Sequence, residues 1–179
     1  MKLEKKLAAV FLAAVLVLTM LAGCGAGGTD LVQPDIQKGR EIAASLNAAR
    51  ADANQTEAVF DEALTRQLTA YANQYVEYKL LINAYWADQT EENQAKAMQA
   101  QTDLRKAEQE LADQLDGQVV LNTVRKDEFD VAEYDEAKAA GQNIFADTTL
   151  AKRDADFCSI TVVSKQDLTY AVMLLGKKA

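Results

Sequence analysis

The sequence contains no histidine, and only one proline and two cysteines among its 179 residues. Without histidine there is no Ser-His-Asp or Cys-His pair, no imidazole base and no typical zinc site. A chain with a single proline and eight glycines does not have the composition of a disordered stalk. These absences predict a packed protein that is not an enzyme, with no catalytic residue, no cofactor and no metal site.

The first 23 residues have the composition of a signal peptide. Lys2, Lys5 and Lys6 give a positive start, and residues 7–21 then form an apolar run interrupted only by Thr19. A comfortable transmembrane helix needs about 20 residues, so this run suits the hydrophobic region of a signal peptide better. We therefore predict that residues 1–23 direct export.

The apolar run ends in Leu21-Ala22-Gly23-Cys24. This tetrapeptide resembles the lipobox of bacterial prolipoproteins, and the resemblance implies that the Cys24 thiol receives diacylglycerol and that the preceding bond is cut. Two acyl chains hold a protein stably on a membrane. Residues 24–34, which begin with a glycine-rich stretch, are then a flexible tether. The predicted location is the cell membrane, facing outside the cytoplasm, and the alternative is an ordinary secretory signal or an uncleaved anchor.

Cleavage before Cys24 leaves 156 residues, enough for one domain with a core. Residues 1–23 contain three lysines and one glutamate, so their removal takes the net charge from −8 to about −10. This charge argues against nucleic acid as a partner. A lipidated Cys24 leaves Cys158 without a disulfide partner, so the fold must be stabilised by packing. We predict that Cys158 is a buried small hydrophobe.

The first half of the domain has helical periodicity. Asp35 is a plausible N-cap for a first helix that carries Ile42, Leu46, Ala49 and Ala53. A longer stripe then repeats every three or four residues: Phe60, Leu64, Leu68, Tyr71, Tyr75, Tyr78, Ile82 and Tyr85. The four tyrosines could form a ligand platform, but the amphipathic side of a core helix is the preferred interpretation.

Residues 88–116 form a charged segment that we predict to be a helix, capped near Thr90 and stopped by Gly117. Its apolar line is narrow and consists of Ala97, Ala100, Leu104, Ala107, Leu111 and Leu115. One interpretation is a solvated helix that lies across the domain, or an insertion into it. The other is a docking surface for an exported protein partner.

The C-terminal third has the pattern of strands. Val119–Leu121 is a possible short strand, and Glu133–Ala140 a helix that ends near Gly141. The runs Phe157–Val163 and Leu168–Leu175 then predict a β-hairpin with a four-residue loop, in which Cys158, Ile160 and Val162 share one face. Helices followed by a terminal hairpin indicate the α+β class.

Three segments together resemble the CAP superfamily, the group of cysteine-rich secretory and plant pathogenesis-related proteins. They are Leu46-Asn47-Ala48-Ala49-Arg50 followed by Phe60-Asp61-Glu62-Ala63-Leu64, then Tyr134, Ala137, Ala140 and Asn143-Ile144-Phe145, and the closing run that ends at Gly176. The resemblance implies a helix–sheet–helix sandwich around a central antiparallel sheet, in residues 35–179. A cleft histidine of that family falls at Ala140 here, so the resemblance transfers no site residue.

Other chemistry has little support in the sequence. No serine begins an S-x-x-K motif, whether Ser45, Ser159 or Ser164. Acidic residues crowd one segment without EF-hand spacing, which favours a hydrated face over a Ca²⁺ site: Asp127, Glu128, Asp130, Glu133, Asp135 and Glu136. We therefore predict an anchored, non-catalytic CAP-like binding or structural module. The alternatives are a helical adaptor that docks a partner through residues 88–116, and an enzyme that uses a pair of carboxylates.

Overall fold

The computed structural model describes residues 31–179. The predicted signal peptide, the lipobox and Cys24 lie outside the described residues. The described chain is α+β, as predicted, with helices concentrated in its first part and the main strands in its last. Its elements are α1 (Ile36–Asp52), β1 (Val59–Phe60), α2 (Glu62–Gln67), α3 (Thr69–Ala87), α4 (Glu91–Leu115), a 3₁₀ turn (Leu121–Thr123), β2 (Arg125–Asp130), α5 (Val131–Ala139), β3 (Phe157–Lys165) and β4 (Leu168–Gly176).

The four strands form one sheet in the order β1-β3-β4-β2. The predicted hairpin of β3 and β4 lies at its centre, paired along nine residues of each strand from Phe157–Gly176 to Lys165–Leu168. Strand β2 adds antiparallel to β4, whereas the two-residue β1 runs parallel to β3. The sheet is therefore antiparallel except at its β1 edge.

Helices cover both faces of the sheet because the strand residues alternate between two apolar clusters. Cys158, Ile160 and Val162 of β3 pack with α1 and α5 on one face. Phe157 and Val163 pack on the other face, with α2, α3 and the end of α4. The hairpin is thus enclosed between the first helix and the tyrosine-striped helix.

Helix α1 begins at its predicted cap and approaches the sheet closely. The Asp35 carboxylate accepts from the Lys38 backbone N–H at 2.9 Å, while the Asp35 N–H donates to Val162 O at 2.9 Å. At Gly39, a Cβ would lie 2.5 Å from Ile160 O. Any larger residue would therefore push α1 away from β3.

The predicted helix from Phe60 to Tyr85 is wrong at its start. Val59 and Phe60 pair with Phe157 and Cys158 as strand β1, because sheet pairing here overrides the helical spacing. Asp61 then caps α2 through the Leu64 N–H at 2.9 Å. A break at Leu68 separates α2 from α3.

Two further predictions in the C-terminal third are corrected. Val119–Leu121 is not a strand, since Val119 makes only an isolated bridge to Lys178 before the 3₁₀ turn. The strand of this region is β2, which was not predicted because its charged sequence overlaps the acidic segment. The β3–β4 loop has two residues rather than four, because Gln166 adopts φ 55° and closes a tight turn.

Helices α3 and α4 form an antiparallel helical hairpin whose two ends differ. Thr90 caps α4 as predicted, and Gly117 follows it at φ 73°. The base of the hairpin, with Tyr71, Val76, Leu111 and Leu115, packs against the sheet. In residues 77–101 only Ala97 and Ala100 are buried. Within the described residues, no helix is both long enough and apolar enough to cross a bilayer.

Candidate functional site

A hollow of about 330 Å³ lies between α1 and α5, with both apolar and polar side chains in its lining. The side chains that line it come from two turns of α1, from α5 and from the loop that follows α5. The polar side chains that line it are Glu41, Ser45, Tyr134, Lys138, Gln142 and Asn143.

Ion pairs organise one wall of the hollow. The Glu41 carboxylate accepts from Lys138 Nζ at 2.8 Å and from Lys38 Nζ at 2.9 Å, and Lys38 also reaches Asp135 at 2.5 Å. The hydrogen bonds from Lys138 and Lys38 lower the pKa of Glu41 to about 2. Two cations and two carboxylates thus leave this wall close to electroneutral.

Ser45 is the one hydroxyl of the hollow that could act as a nucleophile. Its Oγ lies 2.8 Å from the Tyr134 hydroxyl, which in turn donates to Glu41 at 3.3 Å. The hydrogen bond to Glu41 raises the pKa of Lys138, so this lysine is protonated near neutral pH and cannot accept a proton. Burial lowers the pKa of Lys38, but its bonds to Asp135 and Glu41 outweigh that effect and raise it. The arrangement suits binding of a polar molecule better than activation of Ser45.

Asn47 and Arg50, the polar residues of the first CAP-like motif, hold loops in place. The Asn47 amide donates to Ala58 O and accepts from Ala58 N, both at 3.0 Å. It therefore occupies the hydrogen-bonding positions of a strand neighbour next to β1. Arg50 is fully buried and donates to the backbone oxygens of three residues, Thr56, Arg153 and Ala155, at 3.0, 2.7 and 3.0 Å.

The second CAP-like motif also serves the fold. Tyr134 is 2% exposed and packs on α1, and Asn143 donates to Ser45 O at 2.7 Å. Asn143 Oδ1 also accepts from the N–H of the buried Phe145. Ala140, where the family places a cleft histidine, is an exposed C-cap of α5.

The acidic segment of residues 127–136 does not converge on one point. Asp130 caps α5 through the Ala132 N–H, Asp135 pairs with Lys38, and Glu133 and Glu136 are exposed. In residues 31–179, no three Cys, Asp or Glu side chains are placed so that they could hold a metal ion together. The acidic side chains of this segment therefore have separate partners or face solvent, and they do not form one site.

Sequence reasoning missed a polar cluster beneath the α3–α4 hairpin. The Tyr71 hydroxyl donates to Glu128 at 2.8 Å and accepts from Lys126 Nζ at 2.6 Å, and Lys126 also lies 4.2 Å from the Tyr71 ring centroid. Burial and the bond to Glu128 raise the pKa of Tyr71. Burial also raises the pKa of Tyr75, to about 12. The alternation of β2 was the available signal, since Lys126 and Glu128 face the same side.

A second hollow, of about 380 Å³, lies at the β1 edge and contains three carboxylates. Asp61 caps α2 and pairs with Lys178, and Glu62 bonds Arg66 at 2.7 Å and Arg40 at 2.6 Å. Hydrogen bonds from Arg66 and Arg40 lower the pKa of Glu62, and the Asp61 pKa is also lowered because bonds from Lys178 and Leu64 outweigh burial. Both groups are ionised at neutral pH, so neither is suited to be a general acid.

The remaining candidate residues lie inside the fold or at its turn. Cys158 is 0% exposed and burial raises its pKa to about 12, so the prediction of a buried thiol is confirmed. Ser159 is buried and lies 3.2 Å from the Thr65 hydroxyl, and Ser164 bonds Thr169 at the β3–β4 turn. None of these residues lines either hollow.

The apolar line of α4 faces the domain itself. Leu111 is 5% exposed in the cluster beneath α3, and Leu104 and Ala107 pack partly against the same cluster. The adaptor hypothesis requires an apolar strip on the outer side of this helix, and Leu104 and Leu111 do not supply one.

Comparisons of the chain with protein-family models, with curated proteins and with solved structures find no match.

Proposed function

We propose that the protein is a lipoprotein anchored outside the cytoplasm through lipid on Cys24, and that its domain is a non-catalytic, CAP-like binding or structural module. The lipobox carries the anchoring part of this proposal. The folded part begins close behind it, because Val32 is already fixed to α3 by two hydrogen bonds with the Asn73 amide, at 2.9 and 3.1 Å.

The observation that carries the non-catalytic part is the paired state of the polar groups. In residues 31–179, no buried side-chain nitrogen or oxygen lacks a hydrogen-bond partner. Asn47, Arg50 and Asn143, the residues that most resemble the family motifs, are engaged with backbone groups. The Ser45 hollow has no free base within its ion pairs. The hollow is therefore better suited to bind a polar ligand, such as a cell-wall fragment, than to catalyse a reaction.

Metabolic labelling tests the anchor. Cells that express the chain are grown with radioactive palmitate, and the protein is then partitioned with a cloud-point detergent. We expect label and detergent partitioning for the wild type, and loss of both for Cys24→Ser. Cys158→Ala is the matched control, since it removes the other cysteine and keeps the lipid. An unlabelled wild-type chain in the aqueous phase would refute the anchor.

Incubation with soluble peptidoglycan fragments tests the module. We expect saturable binding with the fragments recovered intact by mass spectrometry, and weaker binding for Lys138→Gln, which changes a wall of the hollow without touching the core. Arg66→Gln, an exposed cation on α2, is the control and should bind as the wild type does. Cleaved fragments would contradict a non-catalytic role, and equal binding by both variants would exclude the hollow as the site.

A further inference from the structure

The far end of the α3–α4 hairpin projects past the sheet. Lys165, at the β3–β4 turn, pairs with Glu77, and Lys79 lies 5.4 Å from the ring centroid of Tyr170. Helix α3 runs on for another eight residues, to Ala87, and at 1.5 Å per residue this is about 12 Å of helix beyond the turn. We call residues 81–98 the hairpin tip.

The hairpin tip presents apolar and aromatic side chains. Trp86 is 65% exposed and Met98 63% exposed. The Tyr85 and Trp86 rings lie against each other with centroids 5.3 Å apart, and Leu81 and Ile82 are only partly covered. The α3 part of the tip contains no charged residue between Lys79 and Asp88. Tyrosine and tryptophan with uncharged neighbours favour the interface between lipid headgroups and acyl chains.

The chain joins the domain beside the half of β3 that is nearer the β3–β4 turn. The Asp35 N–H donates to Val162 O, three residues before the end of β3, and Val32 is held by Asn73, the fifth residue of α3. The tether therefore arrives slightly to the turn side of the middle of the sheet, the side from which the hairpin tip projects. Val59, the most exposed large apolar residue within residues 31–179, lies at the opposite end, beside the first residue of β3.

Chain length permits the hairpin tip to reach the bilayer that holds Cys24. Val32 is eight residues after Cys24, and such a chain spans at most about 29 Å in any conformation. Trp86 lies 13 residues beyond Asn73 on the same helix, which is about 20 Å. A bilayer that holds the lipid can therefore contact the tip, and tethering makes even a weak contact frequent.

We propose that the hairpin tip rests on the headgroup region of the membrane that anchors Cys24, with Trp86 and Tyr85 in the interface. This inference rests on the proposed lipid anchor. The contact orients the domain, because the tether and the tip then give it two separate attachments to the membrane. The tip itself contains acidic residues where α3 passes into α4, at Asp88, Glu91 and Glu92, so the contact favours zwitterionic over anionic lipid.

Trp86 reports on this contact directly because it is the only tryptophan in the sequence. The mature chain 24–179 is coupled at Cys24 to a dialkyl maleimide and reconstituted in phosphatidylcholine vesicles with brominated acyl chains. The buried Cys158 does not compete for the reagent. We expect a shift of the emission to shorter wavelength, quenching by the brominated lipid and protection from acrylamide, all weaker with phosphatidylglycerol present.

Variants locate the contact. Met98→Glu places a charge on the tip and should reduce the quenching, whereas Val59→Glu places one at the other end and should leave it unchanged. A Trp86 that stays accessible to acrylamide in these vesicles overturns the proposal. A shift that follows protein density in vesicles without brominated lipid assigns the tip to a second copy and also overturns it. Because the lipid is coupled chemically, the vesicle experiment does not depend on lipidation in cells. Palmitate labelling can therefore fail while the fluorescence of the coupled protein still shows whether the tip contacts the membrane.

Discussion

The layer of α1 and α5 differs from the hairpin of α3 and α4 in how much of it packs against the rest of the domain. Helix α1 lies against β3 so closely that Gly39 has no room for a Cβ, and its polar residues are bonded to loops and to α5. The hairpin packs on the sheet only at its base and ends in Trp86, which is 65% exposed. The first layer therefore fixes the fold, and the second leaves a surface free for contact.

Substitutions in the two regions should lower the stability of the fold for different reasons. In the α1 layer, loss of a polar side chain leaves buried carbonyls without donors. In the hairpin, the cost depends on the distance from the sheet, since the base is buried and the tip is not.

The largest effect is expected at Arg50. Arg50→Met removes the donor of three backbone carbonyls, so we expect the free energy of unfolding to fall by about 3–5 kcal/mol. Arg66→Met is the matched control, because Arg66 is 60% exposed and its pair with Glu62 contributes at most about 1 kcal/mol. Urea unfolding measures both. Similar losses in the two variants would mean that the buried guanidinium does not fix the loops.

A smaller effect is expected at the base of the hairpin. Leu111→Ala leaves a cavity beneath α3 and should cost about 2–4 kcal/mol, while Met98→Ala at the exposed tip should cost less than about 1 kcal/mol. The midpoints of urea unfolding give the difference. If Met98→Ala is as damaging as Leu111→Ala, the tip is packed and the contrast within the hairpin is lost.

Glu41 should make the α1 layer sensitive to acid. Its pKa in the folded protein, about 2, is below the ordinary 4.5, so its ion pairs stabilise the fold above pH 4.5 and are lost as the pH falls towards 2. The stability gap between the wild type and Glu41→Gln should therefore shrink from pH 5 to pH 2. Glu136→Gln, at an exposed position of α5 outside these ion pairs, is the control for replacing a carboxylate in this layer. A gap that is constant with pH would contradict the pairing.

Cys158 should be protected from thiol reagents in the folded protein, a prediction that involves no substitution and no change in stability. Burial keeps its thiol protonated and out of reach, so a maleimide should modify it only after unfolding. We expect no modification of Cys158 in the folded mature chain at pH 8, and complete modification in 6 M guanidinium, both read by mass. Rapid modification of the folded protein would mean that the β3 face under α1 opens.

The elements that the sequence predicted well have a local cause. Asp35 and Thr90 cap their helices with their own side chains, Gly117 can adopt the positive φ that ends α4, and the alternation of Cys158, Ile160 and Val162 follows from the strand period. These features need no distant partner. A single sequence therefore contains the information for them.

The errors concern elements that depend on distant contacts. Phe60 is in a strand because Cys158, 98 residues later, pairs with it. Strand β2 is rich in charge because Lys126 and Glu128 meet Tyr71 from α3. The hollow of Glu41, Ser45 and Tyr134 joins residues about 90 positions apart. The alternation of β2 could have placed Lys126 and Glu128 on one face, but spacing along the chain does not identify the distant residue that each of these groups contacts.

The proposed anchor is the lipid on Cys24, and the N-terminal peptide of the mature protein shows whether that lipid is present. Trypsin should release residues 24–38 from the membrane-extracted protein, since Lys38 is the first basic residue after the cleavage site. We expect mass spectrometry to find this peptide beginning at Cys24 and heavier by a diacylglyceryl group. A peptide that begins elsewhere, or that contains Cys24 with a free thiol, would refute the lipid anchor.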